Sequence, residues 1–284
     1  MQHWRYLLYC IVVLAVLVAL MHGGAAPANG PIHVTYIANQ GVLLEGGGKK
    51  VVIDAMFRRL AGYAYPVEEL RADMEAARAA FANVDLVLAT HVHADHFDAG
   101  VVGAHLAANQ RATFVAVQQV TEALAKGYRE HSRIAARVQQ VTPNLGTSIT
   151  FPVSDVPLRV LRLRHGNTMN AGFLVDLGGT KVLHLGDADG TAANFDTFDL
   201  ENASIDVALV PYWYALDDEG RRVIREHIAP KRVVFFHIAE DNPDDAQLRE
   251  HMRRMGGRAG LVDRIRKEFP DALFLLEPLS RFTF

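Results

Sequence analysis

Short apolar runs, each followed by glycine, proline, asparagine or charged residues, recur along the chain from residue 31 onward. Runs of this kind are typical of β-strands, and an unbroken one such as Val84–Ala89 indicates a strand buried on both faces. Gly46-Gly47-Gly48 is predicted to form the turn between the second and third strands. The predicted strands are Ile32–Ile37, Val42–Glu45, Lys50–Ile53, Val84–Ala89, Thr113–Val117, Val138–Val141, Ile149–Phe151, Leu158–Arg164, Ala171–Leu177, Lys181–Leu185, Asp206–Val210, Arg232–Phe236 and Ala272–Leu276.

Segments with helical periodicity separate and follow these strands. Pro66 suits the first turn of a helix, where its missing N–H has no intrahelical partner to lose. Strands early and in the middle of the chain, with helices between them and at the end, predict an α+β domain of two packed sheets covered by helices. No internal repeat or long linker interrupts this pattern, so we predict one domain over residues 31–284. The predicted helices are Pro66–Phe81, Asp98–Ala108, Gln119–Lys126, Asp217–His227, Asp244–Met255 and Leu261–Phe269.

The N-terminal residues have a different composition from the rest. Arg5 precedes the unbroken apolar run Tyr6–Leu20, and small residues follow, which is the arrangement of a secretory signal peptide. Ala26-Pro27-Ala28 provides an A-x-A cleavage site, so residues 1–28 are predicted to be removed. A cleaved signal peptide and an uncleaved membrane anchor would both place the domain outside the cytoplasmic membrane of a bacterium. We therefore predict that the domain is exported, and is periplasmic or secreted.

The alternative is an uncleaved N-terminal membrane anchor. The apolar run is shorter than the roughly 18 residues that mark a spanning helix. However, no charged residue occurs between Arg5 and Glu45. An anchor of this kind is the only membrane contact that the sequence predicts.

Composition narrows the function. Half of the residues are apolar, which is ordinary for a globular protein, and the formal net charge is −3. Removal of residues 1–28 would take away Arg5, for a net charge of −4, and Cys10, the only cysteine. The remaining chain would have no disulfide and no thiolate nucleophile or ligand. A net negative charge also argues against general binding to nucleic acid, so we expect a small-molecule substrate.

A dense group of potential metal ligands follows the predicted strand Val84–Ala89. His91, His93, Asp95 and His96 fall within six residues, on the loop between that strand and the next helix. Alternation at the strand end directs His91 and His93 to the same side, while Asp95 and His96 turn toward a second point. Imidazole and carboxylate groups suit zinc, iron or manganese, so this one loop is predicted to serve two adjacent cations.

Three further potential ligands follow in order along the chain. His165 comes directly after the predicted strand Leu158–Arg164, Asp187 follows Lys181–Leu185, and His237 follows Arg232–Phe236. Each lies where a buried strand gives way to a loop, which is where such frameworks place active-site groups. Any one of them could be a structural residue, but their joint occurrence predicts one metal site.

With these residues the chain resembles the metallo-β-lactamase fold superfamily, whose signature is H-x-H-x-D-H followed by His, Asp and His at strand ends. The resemblance covers Ile32 to Phe284 and implies a four-layer αββα sandwich with the site at one edge. It also implies that Asp54 supports the site without touching metal. The implied first-metal ligands are His91, His93 and His165, the second-metal ligands are Asp95, His96 and His237, and Asp187 bridges both.

Within the superfamily the sequence is most similar to the metal-dependent hydrolase branch that includes ascorbate-6-phosphate lactonase-like proteins. True β-lactamases of this fold generally lack the bridging aspartate, and several classes use a cysteine ligand, whereas this chain has Asp187 and no cysteine after residue 28. Flavodiiron members carry glutamate at the position of His93. RNA-processing members have a large additional domain that this length cannot hold.

The resemblance and the ligand chemistry together predict a binuclear hydrolase, with two divalent cations, Zn²⁺ first and Mn²⁺ or Fe²⁺ as alternatives. The cations would share a water and lower its pKa from near 16 toward about 7, giving a bridging hydroxide. Asp95 and Asp187 are the predicted catalytic residues, and the predicted substrate is a small ester, lactone, amide or phosphodiester. The alternatives are an iron-dependent sulfur dioxygenase with one metal, and a non-catalytic metal-binding module.

Aromatic residues near the predicted ligands are candidates for a substrate pocket. Tyr212, Trp213 and Tyr214 follow a strand soon after Asp187, and the alternative is that they cap the core. Tyr63 and Tyr65 lie on the loop after Asp54 and have the same two interpretations. Asn167, just after His165, could contact substrate or serve as a turn residue.

Overall fold

Two seven-stranded sheets form the fold, in a computed structural model that describes residues 30–284. The predicted signal peptide or anchor, residues 1–28, lies outside the described residues. The strands are β1 (His33–Ala38), β2 (Gly41–Gly46), β3 (Lys49–Ile53), β4 (Leu86–Ala89), β5 (Thr113–Ala116), β6 (Val138–Gln140), β7 (Ser148–Val153), β8 (Val156–His165), β9 (Thr168–Leu177), β10 (Thr180–His184), β11 (Val207–Pro211), β12 (Arg232–Phe236), β13 (Leu273–Phe274) and β14 (Arg281–Thr283).

The strand order is β14-β1-β2-β3-β4-β5-β6 in one sheet and β13-β12-β11-β10-β9-β8-β7 in the other. Side chains from both sheets join one hydrophobic core, which contains for example Val52 and Leu88 from the first sheet and Phe173 from the second. Helices cover the outer face of each sheet. They are α1 (Glu68–Glu75), α2 (Ala99–Ala108), α3 (Gln118–Gly127), α4 (Asp218–Arg222), α5 (Ala246–Met255) and α6 (Gly257–Glu268).

The outer layers explain why the central strands are apolar on both faces. Val101 and Leu124 of α2 and α3 belong to the same core cluster as the first sheet. Ile224 after α4, Met252 of α5 and Leu261 of α6 pack with residues of the second sheet. The predicted four-layer αββα sandwich is confirmed. Within residues 30–284, every helix is too short or too polar to span a bilayer.

Parallel pairing brings the loops with polar residues together. β3, β4 and β5 run parallel, so the loops that follow Ile53 and Ala89 leave the first sheet at the same edge. β10, β11 and β12 are also parallel, so the loops after His184, Pro211 and Phe236 leave the second sheet together. In open sheets of this kind ligands bind outside the carboxyl ends of the strands.

Helix bounds differ from the sequence prediction at two places. The predicted helix Pro66–Phe81 is divided into α1 and a 3₁₀ turn at Ala79–Phe81. Ala77 adopts a left-handed conformation (φ 50°), with its N–H bonded to Met74 O and the next N–H bonded to Asp73 O, which is a Schellman ending. Glycine usually occupies that position, so alanine gave no signal that the helix would end there.

The second difference lies around the last helices and strands. The predicted helix Asp217–His227 is α4 followed by a π-helical turn, Val223–Ile228. α6 begins at Gly257 rather than Leu261. Strand β14 was not predicted, because three residues that pair only with the edge of β1 carry almost no periodic signal.

Candidate metal centre

The structure brings the seven predicted ligands together in two groups. His91, His93, His165 and Asp187 form one group, and Asp95, His96 and His237 form the other. Within each group, one candidate ligand atom of every residue lies within 4.8 Å of the others. Asp187 also reaches the second group, since its Oδ1 is 3.4 Å from His96 Nε2 and its Oδ2 is 3.3 Å from His237 Nε2. This aspartate is therefore placed where it can bridge two cations.

Strand ends position these side chains. His91 comes two residues after the end of β4, His165 ends β8 and His237 directly follows β12. His237 has a left-handed backbone (φ 64°), which is unusual for histidine and turns its ring from the strand direction back toward Asp95 and Asp187. Such local strain persists where the surrounding structure enforces it and is concentrated at functional sites.

Asp54 and Thr90 orient two of the rings. Asp54 Oδ1 accepts the Thr90 backbone N–H at 2.7 Å, and its Oδ2 accepts the Thr90 hydroxyl at 2.6 Å. His96 Nδ1 lies 2.8 Å from Asp54 Oδ2, and His91 Nδ1 lies 3.0 Å from Thr90 Oγ1. If both rings carry their proton on Nδ1, each leaves Nε2 free to bind metal, which is how supporting groups select a histidine tautomer. The implied role of Asp54 thus has a geometric basis.

His93 presents its other nitrogen. Its Nε2 lies 3.3 Å from Thr168 Oγ1, whereas its Nδ1 lies 3.0 Å from His91 Nε2. The Nδ1 atom therefore faces the same point as His91. His165 comes from the end of β8 in the second sheet, and its ring centroid lies 4.9 Å from that of His91.

The turn between β1 and β2 supports the second group. Asn39 Nδ2 donates to Asp95 Oδ2 at 2.9 Å, and its backbone carbonyl lies 3.4 Å from the His237 N–H. Gln40 Nε2 donates to the backbone carbonyl of Asp95. Both turn residues are buried, and Asn39 is in the left-handed conformation (φ 48°) that asparagine tolerates well.

A second pair of buried residues holds the loop of Asp187. Asn170 Oδ1 lies 3.3 Å from the Asp187 N–H, and its Nδ2 donates to Leu185 O at 3.0 Å. His184 Nδ1 accepts the Gly186 N–H at 3.1 Å, which leaves Nε2 to donate to Gln40 O at 3.0 Å. Gly186 is required because a Cβ there would lie 2.5 Å from Asn170 Oδ1 and φ is positive. His184 thus supports the loop of Asp187 and is not itself among the candidate ligands.

Sequence reasoning did not find four of these supporting residues. Thr90 directly precedes the ligand motif, and that position was the one available signal for it. Asn39 and Gln40 lie in the gap between two predicted strands, and Asn170 lies inside a strand. The residue type alone does not separate them from ordinary turn or core polar residues.

Charge compensation at the centre shifts several pKa values. Burial lowers the pKa of His91 well below its ordinary value. Burial has the same tendency at His96, but the carboxylates of Asp187 and Asp54 outweigh it and raise the pKa of His96 well above normal. For His237 burial is likewise outweighed, chiefly by Asp187, and the pKa is raised to about 9. Burial would raise the pKa of Asp187, but His237 and His96 hold it well below its usual range.

These residues fit divalent cations. Buried polar atoms normally have a hydrogen-bond partner, yet among the described residues four of the seven buried side-chain atoms without one are His96 Nε2, Asp187 Oδ1, His237 Nδ1 and His237 Nε2. The carboxylates otherwise rely on protonated imidazoles for compensation. Bound cations would supply that positive charge and give His96 Nε2, His237 Nε2 and Asp187 Oδ1 a partner. The donor set, imidazole and carboxylate without thiolate, matches zinc, manganese or iron.

Loading the metal-free protein with Zn²⁺ is expected to release protons. The raised pKa of His237, about 9, means that its ring is protonated at pH 7 and must lose that proton to bind metal. His96, whose pKa is also raised, behaves in the same way. Zinc affinity should therefore fall by up to about tenfold per pH unit for each displaced proton between pH 8 and pH 6. Calorimetry in buffers of different ionisation enthalpy measures the released protons; equal affinity at both pH values would contradict the expectation.

The predicted pocket residues separate into two sets. Trp213 lies beside the second group, since its ring centroid is 5.3 Å from that of His237. Tyr212 lies next to Trp213, with ring centroids 5.6 Å apart. Tyr214 does not line a pocket: it is fully buried and its hydroxyl donates to Ala188 O at 2.8 Å, so it belongs to the core. Asn167 is exposed in the tight turn between β8 and β9.

Of the two loop tyrosines after Asp54, Tyr63 lies at the centre. Its ring meets the His237 ring edge-on, with centroids 4.7 Å apart. Burial, together with the charges of Tyr212, Asp95 and Asp187, raises the pKa of Tyr63 far above normal, so its phenol stays protonated. Tyr65 is instead exposed beneath the guanidinium of Arg59.

Comparison with known proteins agrees with the fold and with a metal-dependent hydrolase family. The family model described as "Beta-lactamase superfamily domain" matches residues 49–240. A UPF0173 metal-dependent hydrolase of Pyrococcus furiosus is 26% identical over 242 residues, covering 81% of this chain and 95% of that protein. Igni18, described as a novel metallo hydrolase from the archaeon Ignicoccus hospitalis, has a TM-score of 0.56 and 20% identity, covering 90% of this chain and 99% of that one. The metallo-beta-lactamase fold protein YhfI from Bacillus subtilis has a TM-score of 0.60 and 15% identity, covering 90% and 100%.

The four-layer sandwich, with this His/Asp cluster at the edge of its sheets, defines a protein of the metallo-β-lactamase fold. The chain belongs to the beta-lactamase superfamily domain family, whose model matches well over half of it. The resemblance drawn from the H-x-H-x-D-H motif is confirmed.

Proposed function

We propose that this chain is a binuclear metal-dependent hydrolase that cleaves a small ester, lactone, amide or phosphodiester. The observation that carries the proposal is the pair of ligand groups joined by Asp187, whose two oxygens lie 3.4 Å from His96 Nε2 and 3.3 Å from His237 Nε2. The hydrolase class is also the one named for the Pyrococcus furiosus relative. A formal net charge of −3 supports a small-molecule substrate, since it offers no general attraction to nucleic acid.

Each ligand has a role in this proposal. Two divalent cations, Zn²⁺ first among them, would lower the pKa of a water molecule from near 16 toward about 7 and polarise the bond to be cleaved. Asp187 would join the two sites and fix their separation. His91, His93 and His165 would hold the first cation, and Asp95, His96 and His237 the second.

Asp95 is the residue to which we assign proton transfer. Its Oδ2 atom accepts from Asn39 and lies 3.2 Å from His237 Nε2. Its Oδ1 atom takes part in none of the side-chain contacts found among the described residues, so it is free to accept a proton from water and pass it to the leaving group. The hydrogen bond from Asn39 keeps the carboxylate from rotating, which general acid–base catalysis requires.

Metal analysis tests the proposal directly. Protein purified without added metal is expected to contain about two zinc ions per chain, since each of the two groups supplies a full set of ligands. Removal of the metal by a chelator should abolish hydrolysis in a panel of nitrophenyl esters, lactones, phosphodiesters and nitrocefin, and re-addition of Zn²⁺ should restore it.

One iron per chain with oxygen consumption on a persulfide substrate would instead indicate the sulfur dioxygenase alternative. No bound transition metal and no activity in the panel would contradict the hydrolase proposal.

We also propose that the domain is exported, on the basis of the signal-peptide pattern in residues 1–28. Expression in a bacterial host is expected to yield a periplasmic or secreted protein whose first residue is Asn29. A cytoplasmic protein with an intact N-terminus would overturn this proposal and leave the hydrolase proposal unaffected.

A further inference from the structure

Two aromatic rings from separate segments of the chain contact the same candidate metal ligand. The ring centroids of Tyr63 and Trp213 are 4.7 Å and 5.3 Å from that of His237. Both pairs of rings are in an edge-to-face arrangement, with interplanar angles of 81° and 65°. His237 Nε2 is itself 3.2 Å from Asp95 Oδ2. Both aromatic residues are partly exposed, although most large apolar side chains of the domain are buried. We call these two rings the aromatic patch.

Backbone contacts hold the Tyr63 side of the patch. The Tyr63 N–H is bonded to Leu60 O, which closes a turn, and Gly62 O accepts the Glu240 N–H at 2.9 Å. Gly62 has a positive φ of 87°, and a Cβ there would lie 2.7 Å from Leu248 Cδ2. The loop that carries Tyr63 is therefore packed tightly against the segment that follows His237.

The Trp213 side is also fixed. Trp213 lies in the 3₁₀ turn Tyr212–Ala215 directly after β11. The neighbouring Tyr212 hydroxyl lies 3.0 Å from His251 Nε2 on α5. Because both segments are anchored before any ligand arrives, the patch is a preformed surface, as small-molecule sites usually are.

The guanidinium groups on neighbouring segments already have protein partners. Arg59 pairs with Asp244 at 3.1 Å, Arg249 donates to Pro243 O at 2.9 Å and Arg258 donates to Ala239 O at 2.9 Å. Asp244 compensates the charge of Arg59, and in the described part of the chain no guanidinium group lies over the ring of Tyr63 or Trp213. Glu240, on the same segment, would repel a phosphate or carboxylate.

We infer that the aromatic patch is the subsite for an uncharged aryl or alkyl group adjacent to the bond that is cleaved. Aromatic side chains contribute apolar area and edge contacts with little rotational freedom to lose. The continuity of the patch with His237 places such a group next to the second cation. This inference rests on the proposed hydrolase function and assigns the apolar part of its substrate.

Hydroxamates test the inference by binding rather than by turnover, because the hydroxamate group binds metal while its substituent is varied. For the zinc-loaded protein, calorimetry with acetohydroxamate, hexanohydroxamate and benzohydroxamate gives three affinities. A fully buried methylene contributes about fourfold in affinity, so hexanohydroxamate is expected to bind at least roughly tenfold more tightly than acetohydroxamate. Trp213→Ala and Tyr63→Ala should each reduce the ratio of hexanohydroxamate affinity to acetohydroxamate affinity to about threefold or less. The acetohydroxamate affinity of each variant should stay within about twofold of that of the unsubstituted protein.

Two controls separate this subsite from a general loss of structure. Tyr65→Ala removes an exposed ring from the same loop as Tyr63 and should leave the ratio unchanged. Trp213→Phe keeps an aromatic ring and should retain most of the ratio.

Equal affinity for the three hydroxamates, or an unchanged ratio in both alanine variants, would overturn the subsite and leave the hydrolase proposal standing. If acetohydroxamate itself does not bind to zinc-loaded protein, the metal centre and the subsite are both refuted.

Discussion

Replacement of Asp187 by alanine is expected to lower kcat/KM by about 10³-fold or more and to reduce bound zinc from about two ions per chain to less than one. Its two carboxylate oxygens face both groups of ligands, so one substitution removes a ligand from each cation. It also removes the negative charge that compensates His96 and His237, whose pKa values are raised mainly by this carboxylate. Metal content after dialysis and kcat/KM on the best substrate of the panel measure the two effects.

Asp187→Asn and Asp196→Asn provide matched controls. The amide of Asp187→Asn preserves the volume and the backbone N–H contact with Asn170, but it loses the charge and one acceptor oxygen. We therefore expect nearly the same loss of metal with less loss of stability than in Asp187→Ala. Asp196 is exposed and, among residues 30–284, its carboxylate pairs only with His227, so Asp196→Asn should keep full activity. Two tightly bound zinc ions and full activity in Asp187→Ala would contradict the bridging role.

The ligands were predictable because they combine a dense motif with strand ends. His91, His93, Asp95 and His96 lie in one short segment. Parallel pairing of β10 with β12 through β11 brings Asp187 and His237 to the same edge of the second sheet. His165 reaches that edge because β8 and β10 are both antiparallel to β9 and therefore run in the same direction. Strands that are buried on both faces appear in the sequence as nearly continuous apolar runs, so these strands could be recognised. The same patterns predicted two packed sheets covered by helices, and the family resemblance implied their four-layer αββα arrangement.

The supporting residues were not predictable from the sequence, because their roles depend on contacts between distant segments. Asn39 bonds to Asp95, 56 positions away, and His184 bonds to Gln40, 144 positions away. Polar residues in turns usually serve the turn itself, and nothing local distinguishes Asn39 from such a residue. Ala77 shows the same limit for backbone structure, since its left-handed conformation is decided by packing rather than by residue type.

The aromatic residues show how burial decides a role that adjacency cannot. Tyr212, Trp213 and Tyr214 are consecutive, yet one short 3₁₀ turn sends Tyr214 into the core and leaves Trp213 beside His237. Tyr63, whose position in the sequence left two interpretations open, reaches the same ligand from the loop after β3. Side-chain direction in irregular segments changes from one residue to the next, so a sequence pattern has no periodicity to report there.

Replacement of Asp54 by asparagine is expected to lower the affinity for the second cation by about 10- to 100-fold while the first cation remains bound. The amide oxygen can still accept the Thr90 N–H, but an N–H group then takes the place of Oδ2, 2.8 Å from His96 Nδ1. That N–H favours the tautomer in which Nδ1 accepts and Nε2 carries the proton, so Nε2 can no longer bind metal. Asparagine tolerates the left-handed backbone at this position (φ 50°), so the change acts through hydrogen bonding rather than backbone strain. Zinc titration should show one tight and one weakened site, with activity recovering in excess zinc.

Asp85→Asn is the matched control, because Asp85 is a second buried aspartate at the opposite end of the strand that leads to the ligand motif. Its carboxylate pairs with Arg111 at 2.6 Å and accepts the Lys50 N–H at 3.0 Å, and it has no contact with the metal centre. The substitution should therefore lower the free energy of unfolding by about 1–3 kcal/mol without altering zinc affinity. Equal loss of zinc affinity in both variants would mean that Asp54 acts only through stability, whereas unaltered zinc binding in Asp54→Asn would show that the carboxylate does not set the His96 tautomer.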